Sequence, residues 1–256
     1  MTKSDNEQLF EFGDVAAAIG LLTRLPVPVD ADRAGARGAR AAWAYPIAGV
    51  LVALIAGVIG QLGLWIGLPS QVIAVLVLAA LILPTGALHE DGLADSADGL
   101  WGGWTKERRL EIMKDSRIGA YGVIALVLSL MLRGAALNLL IHEGLMWPAL
   151  LISAGSSRAA MVALMAWLPN ARSNGLSQSV GRPSFHVAGI AVGISALVTL
   201  VLAPFSLVWL VLLCSLAAVG CGLLAKAKIG GQTGDILGAT GQMVEMMALL
   251  VLVLAI

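Results

Sequence analysis

Residues 41–89 read AAWAYPIAGVLVALIAGVIGQLGLWIGLPSQVIAVLVLAALILPTGALH, 49 positions without a Lys, Arg, Asp or Glu. Residues 183–225 form a second such run of 43. A membrane-crossing helix needs about 20 apolar residues, so each run holds two crossings joined by a short turn. The rest of the chain agrees. Of 256 residues, 59% are hydrophobic and 12% charged, against roughly 45–50% and about 25% in a soluble domain. The mean hydropathy is +0.90. These values exclude a soluble enzyme and predict an all-α, polytopic transmembrane helix bundle. Isolated strands cannot satisfy their backbone in lipid.

Working outward, the pattern predicts about seven spans: 43–66, 71–88, 118–141, 148–167, 187–204, 207–225 and 237–256. Turn signals at Gly67-Leu68-Pro69-Ser70, at 144–148 and at Ala203-Pro204 divide them. Residues 1–256 read as one integral-membrane domain, with 1–42 as a cytoplasmic or interfacial N-terminal segment. Fourteen of the 16 Lys and Arg fall before span one or between spans two and three, four and five, or six and seven. The opposite loops, around 67–70, 142–147 and 204–206, carry none. The positive-inside rule then places the N-terminus and the long loops in the cytoplasm and the C-terminus outside. Residues 1–14 are acidic and lack the basic start of a signal peptide. The expected location is a bacterial inner membrane, with any chemistry at the cytoplasmic face, where most of the acids also lie. Net charge is zero, so no global field favours nucleic acid. Cys214 and Cys221, seven positions apart, lie about 10.5 Å apart along one helix and cannot bond to each other.

Chemistry concentrates in three segments. In His89-Glu90-Asp91-Gly92-Leu93-Ala94-Asp95-Ser96-Ala97-Asp98-Gly99-Leu100, the acids Asp91, Asp95 and Asp98 are spaced i, i+4, i+7 and share one helical stripe. Like charges on one face repel unless a cation sits among them. Hard oxygens suit Mg²⁺, which keeps waters and completes its shell with substrate phosphates. A solvated acidic loop would not need this spacing. His89 is open between a base, a ligand and an interfacial residue. In the second segment, Lys114-Asp115-Ser116-Arg117, two cations flank Asp115 and suit phosphate, or equally a positive-inside anchor. In the third, Gly230-Gly231-Gln232-Thr233-Gly234-Asp235 leads into a helix N-terminus that can face an anion. A flexible turn is its plain alternative, and no Walker lysine is present. Two arginines interrupt the apolar spans. Arg133 is placed to snorkel outward. Arg158, near the middle of span four, is a functional candidate by position, with a structural ion pair to Glu245 as the alternative. Acids for a divalent cation plus cations for phosphate point to phosphoryl or phosphodiester transfer.

These segments, together with Leu25-Pro26-Val27-Pro28, resemble the cobalamin synthases, the adenosylcobinamide-GDP ribazoletransferases, along the whole chain. Glu90 departs from the apolar residue expected between the His and the Asp. The resemblance implies a Mg²⁺-dependent membrane enzyme with adenosylcobinamide-GDP and α-ribazole, or its 5′-phosphate, as substrates. The ribazole hydroxyl attacks the phosphorus nearest the cobinamide arm and GMP leaves. The residues then take these roles: Asp91, Asp95 and His89 catalytic; Asp91, Asp95 and Asp98 metal-binding; Lys114, Asp115, Arg117, Arg158, Gly231, Thr233 and Asp235 substrate-binding. A homo-oligomer is left open. The acid stripe also resembles the CDP-alcohol phosphotransferases, but Asp91-Gly92 is not followed by their Ala-Arg continuation. A divalent-cation or metabolite transporter is the alternative of another class.

Overall fold

A computed structural model describes residues 10–256. Lys3 and most of the acidic N-terminal stretch lie outside them. The described chain is helical: α1 (Phe12–Leu22), α2 (Ala31–Arg37), α3 (Tyr45–Trp65), α4 (Ser70–Ile82), α5 (Leu88–Gly102), α6 (Lys106–Ile112), α7 (Ala120–His142), α8 (Met146–Trp167), α9 (Leu176–Val180), α10 (Phe185–Leu202), α11 (Leu207–Ile229) and α12 (Gly234–Val253). Six of these, α3, α7, α8, α10, α11 and α12, are long and apolar enough to cross a membrane.

The expected second span is not one helix. A 3₁₀ turn, Leu83–Thr85, follows α4, and Gly86 and Ala87 then both adopt left-handed backbone, at φ 62° and 57°. Pro84 has no N–H to continue the ladder, and Gly86 accepts a conformation that side chains disfavour. The chain turns by 87° between the two arms. Counted as one broken span, α4 and α5 bring the total to seven.

Around this break the bundle is built on α8 and α12, which are buried along most of their length, whereas α11 faces outward over most of its own. Small residues allow the close approach. The buried face of α3 includes Ala48, Gly49, Val52, Ala53, Ala56, Gly57 and Gly60, an i, i+4 pattern. A Cβ on Gly49 would stand 2.7 Å from the Ala154 carbonyl oxygen of α8. Where lipid competes equally for apolar surface, such close backbone packing is what joins helices.

The N-terminal segment is tied down by charge. The Arg37 guanidinium donates to both oxygens of Asp14, at 2.8 and 2.6 Å, and Trp43 Nε1 donates to Oδ2 at 2.8 Å. Burial alone would raise the Asp14 carboxyl, but these hydrogen bonds outweigh it and hold the group below the usual carboxylate range. The pair fixes α1 so that Leu21 and Leu22 wall the cavity described next.

Candidate functional site

The site forms where α5 crosses α12. A Cβ on Gly92 would stand 2.9 Å from the Asp235 carbonyl oxygen and 3.2 Å from the Gly238 Cα, so only glycine permits this backbone contact. The crossing fixes the course of α5. Its C-terminal part lies at the start of α7, where Asp98 accepts from the backbone N–H of Gly119 at 2.7 Å and of Gly122 at 2.9 Å. Its first turn lies at mid-α7, where Glu90 meets Arg133. The acid-bearing helix therefore runs antiparallel to the first halves of α7 and α12, inside the bundle rather than as a loop beyond it.

This arrangement gathers the carboxylates. Asp95 has Asp91, Asp98 and Asp235 as like-charged neighbours and Arg172 as the opposing charge. Asp91 is exposed, Asp95 half-buried and Asp98 buried. Asp98 caps α7 across space, its two oxygens each taking an N–H from the positive end of that helix. Among the described residues, no three His, Cys, Asp or Glu side chains converge as a metal cage. Mg²⁺ does not require one, since one or two carboxylates plus water and substrate phosphate complete its shell. The i, i+4 pair Asp91 and Asp95 fits that demand, and Asp98 keeps a second lone pair on each oxygen.

Asp91 opens onto a cavity of about 170 Å³. Its lining is part polar, with Asp91, Arg172, Ser177, Thr233 and Asp235, and part apolar, with Leu21, Tyr45, Met161, Met165 and Leu237. The volume is below the roughly 300–1,000 Å³ of a drug-sized pocket, so a large ligand places only part of itself here. His89 also lines the cavity; it is 2% exposed and its Nε2 has no hydrogen-bond partner among the described residues. Thr233 caps α12, accepting from Ile236 N–H at 3.3 Å, and its hydroxyl donates to Asp235 Oδ2 at 3.1 Å.

The loop between α8 and α9 is the part that the sequence reading missed. Gln232 N–H donates to the Pro169 carbonyl, and Ala171 N–H to the Gln232 carbonyl, both at 2.8 Å. This bridge sets Arg172 against Asp235, to which its Nη2 donates. The only signal in the sequence was a polar run, Asn170-Ala171-Arg172-Ser173-Asn174, after span four, in which Arg172 counted merely as a topology charge.

Other expected residues fall elsewhere. Gly231 presses against the Pro169 carbonyl and does not line the cavity, so its missing side chain permits loop packing. Lys114 reaches the neighbouring loop, donating to Asn174 Oδ1 at 3.1 Å. Arg117 is 87% exposed and its Nη2 lies 2.7 Å from Asp115 Oδ2, a pairing that holds the Asp115 carboxyl below its ordinary range. Lys114, Asp115 and Arg117 line a shallow surface hollow with Arg108 and Glu111, apart from the main cavity.

The two membrane arginines correct the expectation. Arg133 does not snorkel: it is 1% exposed, bonded to Glu90 at 2.9 Å, Gln242 at 2.8 Å and Glu245 at 2.6 Å. Arg158 does not line the cavity; its Nη1 donates to Glu245 at 3.1 Å and to Ser157 at 2.7 Å. The structural alternative, the ion pair with Glu245, is the one realised. A buried charge holds only when paired, and the unexpected Glu90 supplies the second acid that two arginines need.

The sequence model of the family described as cobalamin-5-phosphate synthase matches residues 14–253. An adenosylcobinamide-GDP ribazoletransferase of Bradyrhizobium diazoefficiens is 48% identical over 240 residues, 93% of this chain and 92% of that protein. A protein of the same description from Mesorhizobium japonicum is 42% identical over 238 residues, covering 93% and 92%. One from Brucella anthropi is 41% identical over 256 residues, covering 95% and 97%. No solved structure matches.

Proposed function

This chain belongs to the cobalamin-5-phosphate synthase family, and we propose that it joins adenosylcobinamide-GDP to α-ribazole or its 5′-phosphate, releasing GMP. The product is adenosylcobalamin or its 5′-phosphate, late in coenzyme B12 assembly. The observation that carries this reading is the cavity in which Asp91 of α5 meets Thr233 and Asp235 at the head of α12. The relatives are transferases, which leaves the transporter alternative without support.

Asp91 and Asp95 are the residues to hold Mg²⁺, with Asp98 as the fixed end of the stripe. Held there, the ion would neutralise negative charge on the diphosphate and on the GMP phosphate that leaves. The attacking hydroxyl oxygen bonds to the phosphorus on the cobinamide side while the bond from that phosphorus to the GMP oxygen breaks. Its proton passes to a carboxylate of the Asp91–Asp95 pair, and GMP takes the electron pair. His89 lines the same cavity, and its Nε2, without a partner among the described residues, is the group we assign to hydrogen-bond the acceptor or the leaving group. Thr233 and Asp235 line the nucleotide end of the cavity. Lys114, Asp115 and Arg117 stand by the outer loop, where the bulk of a substrate too large for the cavity has to lie. The concentration of Lys and Arg in the loops on this side supports a cytoplasmic position for this face, and the inner membrane is part of the same proposal.

The test is GMP release by the purified protein in detergent with both substrates and Mg²⁺. Release that needs all three supports the transferase. No release under any combination overturns it.

A further inference from the structure

We propose that Arg172 is the residue that grips the diphosphate of the activated substrate, and that Asp235 holds it ready until that substrate arrives. This deepens the transferase reading and rests on it.

Arg172 is the one Lys or Arg among the cavity-lining residues. It stands among acids: Asp235 accepts its hydrogen bond, Asp95 lies within its electrostatic reach, and Asp91, which lines the same cavity, is a like-charged neighbour of both. An anionic ligand entering this cavity meets repulsion from these acids, and Arg172 is the protein's own counter-charge. Its backbone is not free to wander: the paired hydrogen bonds between Pro169–Ala171 and Gln232 end one residue before it. Ser177 Oγ reinforces the bridge by donating its one proton to Gln232 Oε1 at 2.6 Å, with Asn170 Oδ1 also within reach at 3.0 Å.

The side chain is poised rather than consumed. Its exposure is 15% and that of Asp235 is 21%, so the pair sits at the cavity wall and not in the core. A guanidinium carries five N–H donors in a planar fork. Only Nη2 meets an acceptor among the described residues, on Asp235 Oδ2. The remaining donors suit a phosphate, which an arginine binds through two parallel hydrogen bonds. Contrast Arg133 and Arg158, whose guanidiniums are closed off by buried acids. Lys114 and Arg117 lie outside the cavity. By elimination and by geometry, the phosphate-binding cation is on the α8–α9 loop.

The experiment measures GDP binding to the purified full-length protein in detergent by calorimetry, beside R172A, R172K and D235N. R172A is expected to bind GDP at least tenfold more weakly, with α-ribazole affinity unchanged within about twofold. R172K is expected to fall between, because an ammonium lacks the planar fork. D235N, which keeps a hydrogen-bond acceptor for Arg172 but loses the charge that holds it in place, is expected to weaken GDP binding by clearly less than R172A does. If the alanine variant does not fold, R172Q, which keeps a hydrogen bond to Asp235, replaces it with the same expectation. Unchanged GDP affinity in R172A or R172Q overturns the proposal. So does a loss in D235N equal to that in R172A, which would make the pair a structural brace. A parent protein that binds no GDP and releases no GMP removes the transferase reading itself, and this inference with it.

Discussion

Asp91, Asp95 and Asp98 share one stripe, yet their surroundings divide their work. Asp98 is occupied by the first turn of α7, while Asp91 faces the cavity and Asp95 stands among like charges. Asp→Asn keeps shape and removes charge. D91N and D95N are each expected to lower kcat for GMP release by about a hundredfold or more, since each 1.36 kcal/mol of lost transition-state stabilisation is tenfold in rate. The protein should still insert and fold. Glu107 and Glu111, on the outlying helix α6, should tolerate Gln within about threefold. Near-normal turnover in both D91N and D95N would reduce the stripe to a solvated face. The spacing that identified these acids was legible because a helix repeats every 3.6 residues. Arg172 was not legible, because its meaning depends on Asp235, 63 positions away.

At the scale of elements, the decisive feature is the arm α5, held in the bundle by the chain Glu90–Arg133–Glu245–Arg158. This network ties α5 to α7, α12 and α8. Removing one member leaves its partners charged and buried, which costs about 3–5 kcal/mol. R133A is therefore expected to lower the melting midpoint in detergent sharply, and activity with it, by releasing α5 from its register. The pair of changes R133M with E90Q removes the stranded acid while Glu245 keeps its pairing with Arg158, and should recover part of the loss. If R133A melts like the parent, the network does not hold α5. The sequence could not show where this element packs. The i, i+4, i+7 spacing marks a helix, but hydropathy finds only apolar length, and the four acids in the 15 residues of α5 read as lying beyond the span when their partners are out of sight.

For the molecule as a whole, charge asymmetry predicts an orientation that reporter fusions can check. Fusions at 142–147 should read as periplasmic and fusions at 101–109 as cytoplasmic; the reverse would move the active face to the other side. The span pattern itself was set by composition. Near-continuous apolar runs of about 20 residues have one way to satisfy their backbone in lipid, so helix number and approximate limits followed from local sequence alone. Six helices lie within a few residues of those limits, whereas the second span breaks after α4 and its second arm runs on to Gly102 instead of ending near residue 88. The acid stripe, a helical repeat, was equally local. What local sequence did not decide is where the second span breaks, that its charged arm folds back along α7 and α12, and which arginines are paired inside and which face the cavity. Those outcomes depend on partners far apart in the chain, such as Glu90 with Arg133, Gly92 with Gly238 and Arg172 with Asp235. A buried charge or a glycine contact is stable only when the other side is in place, so only the packed bundle settles them.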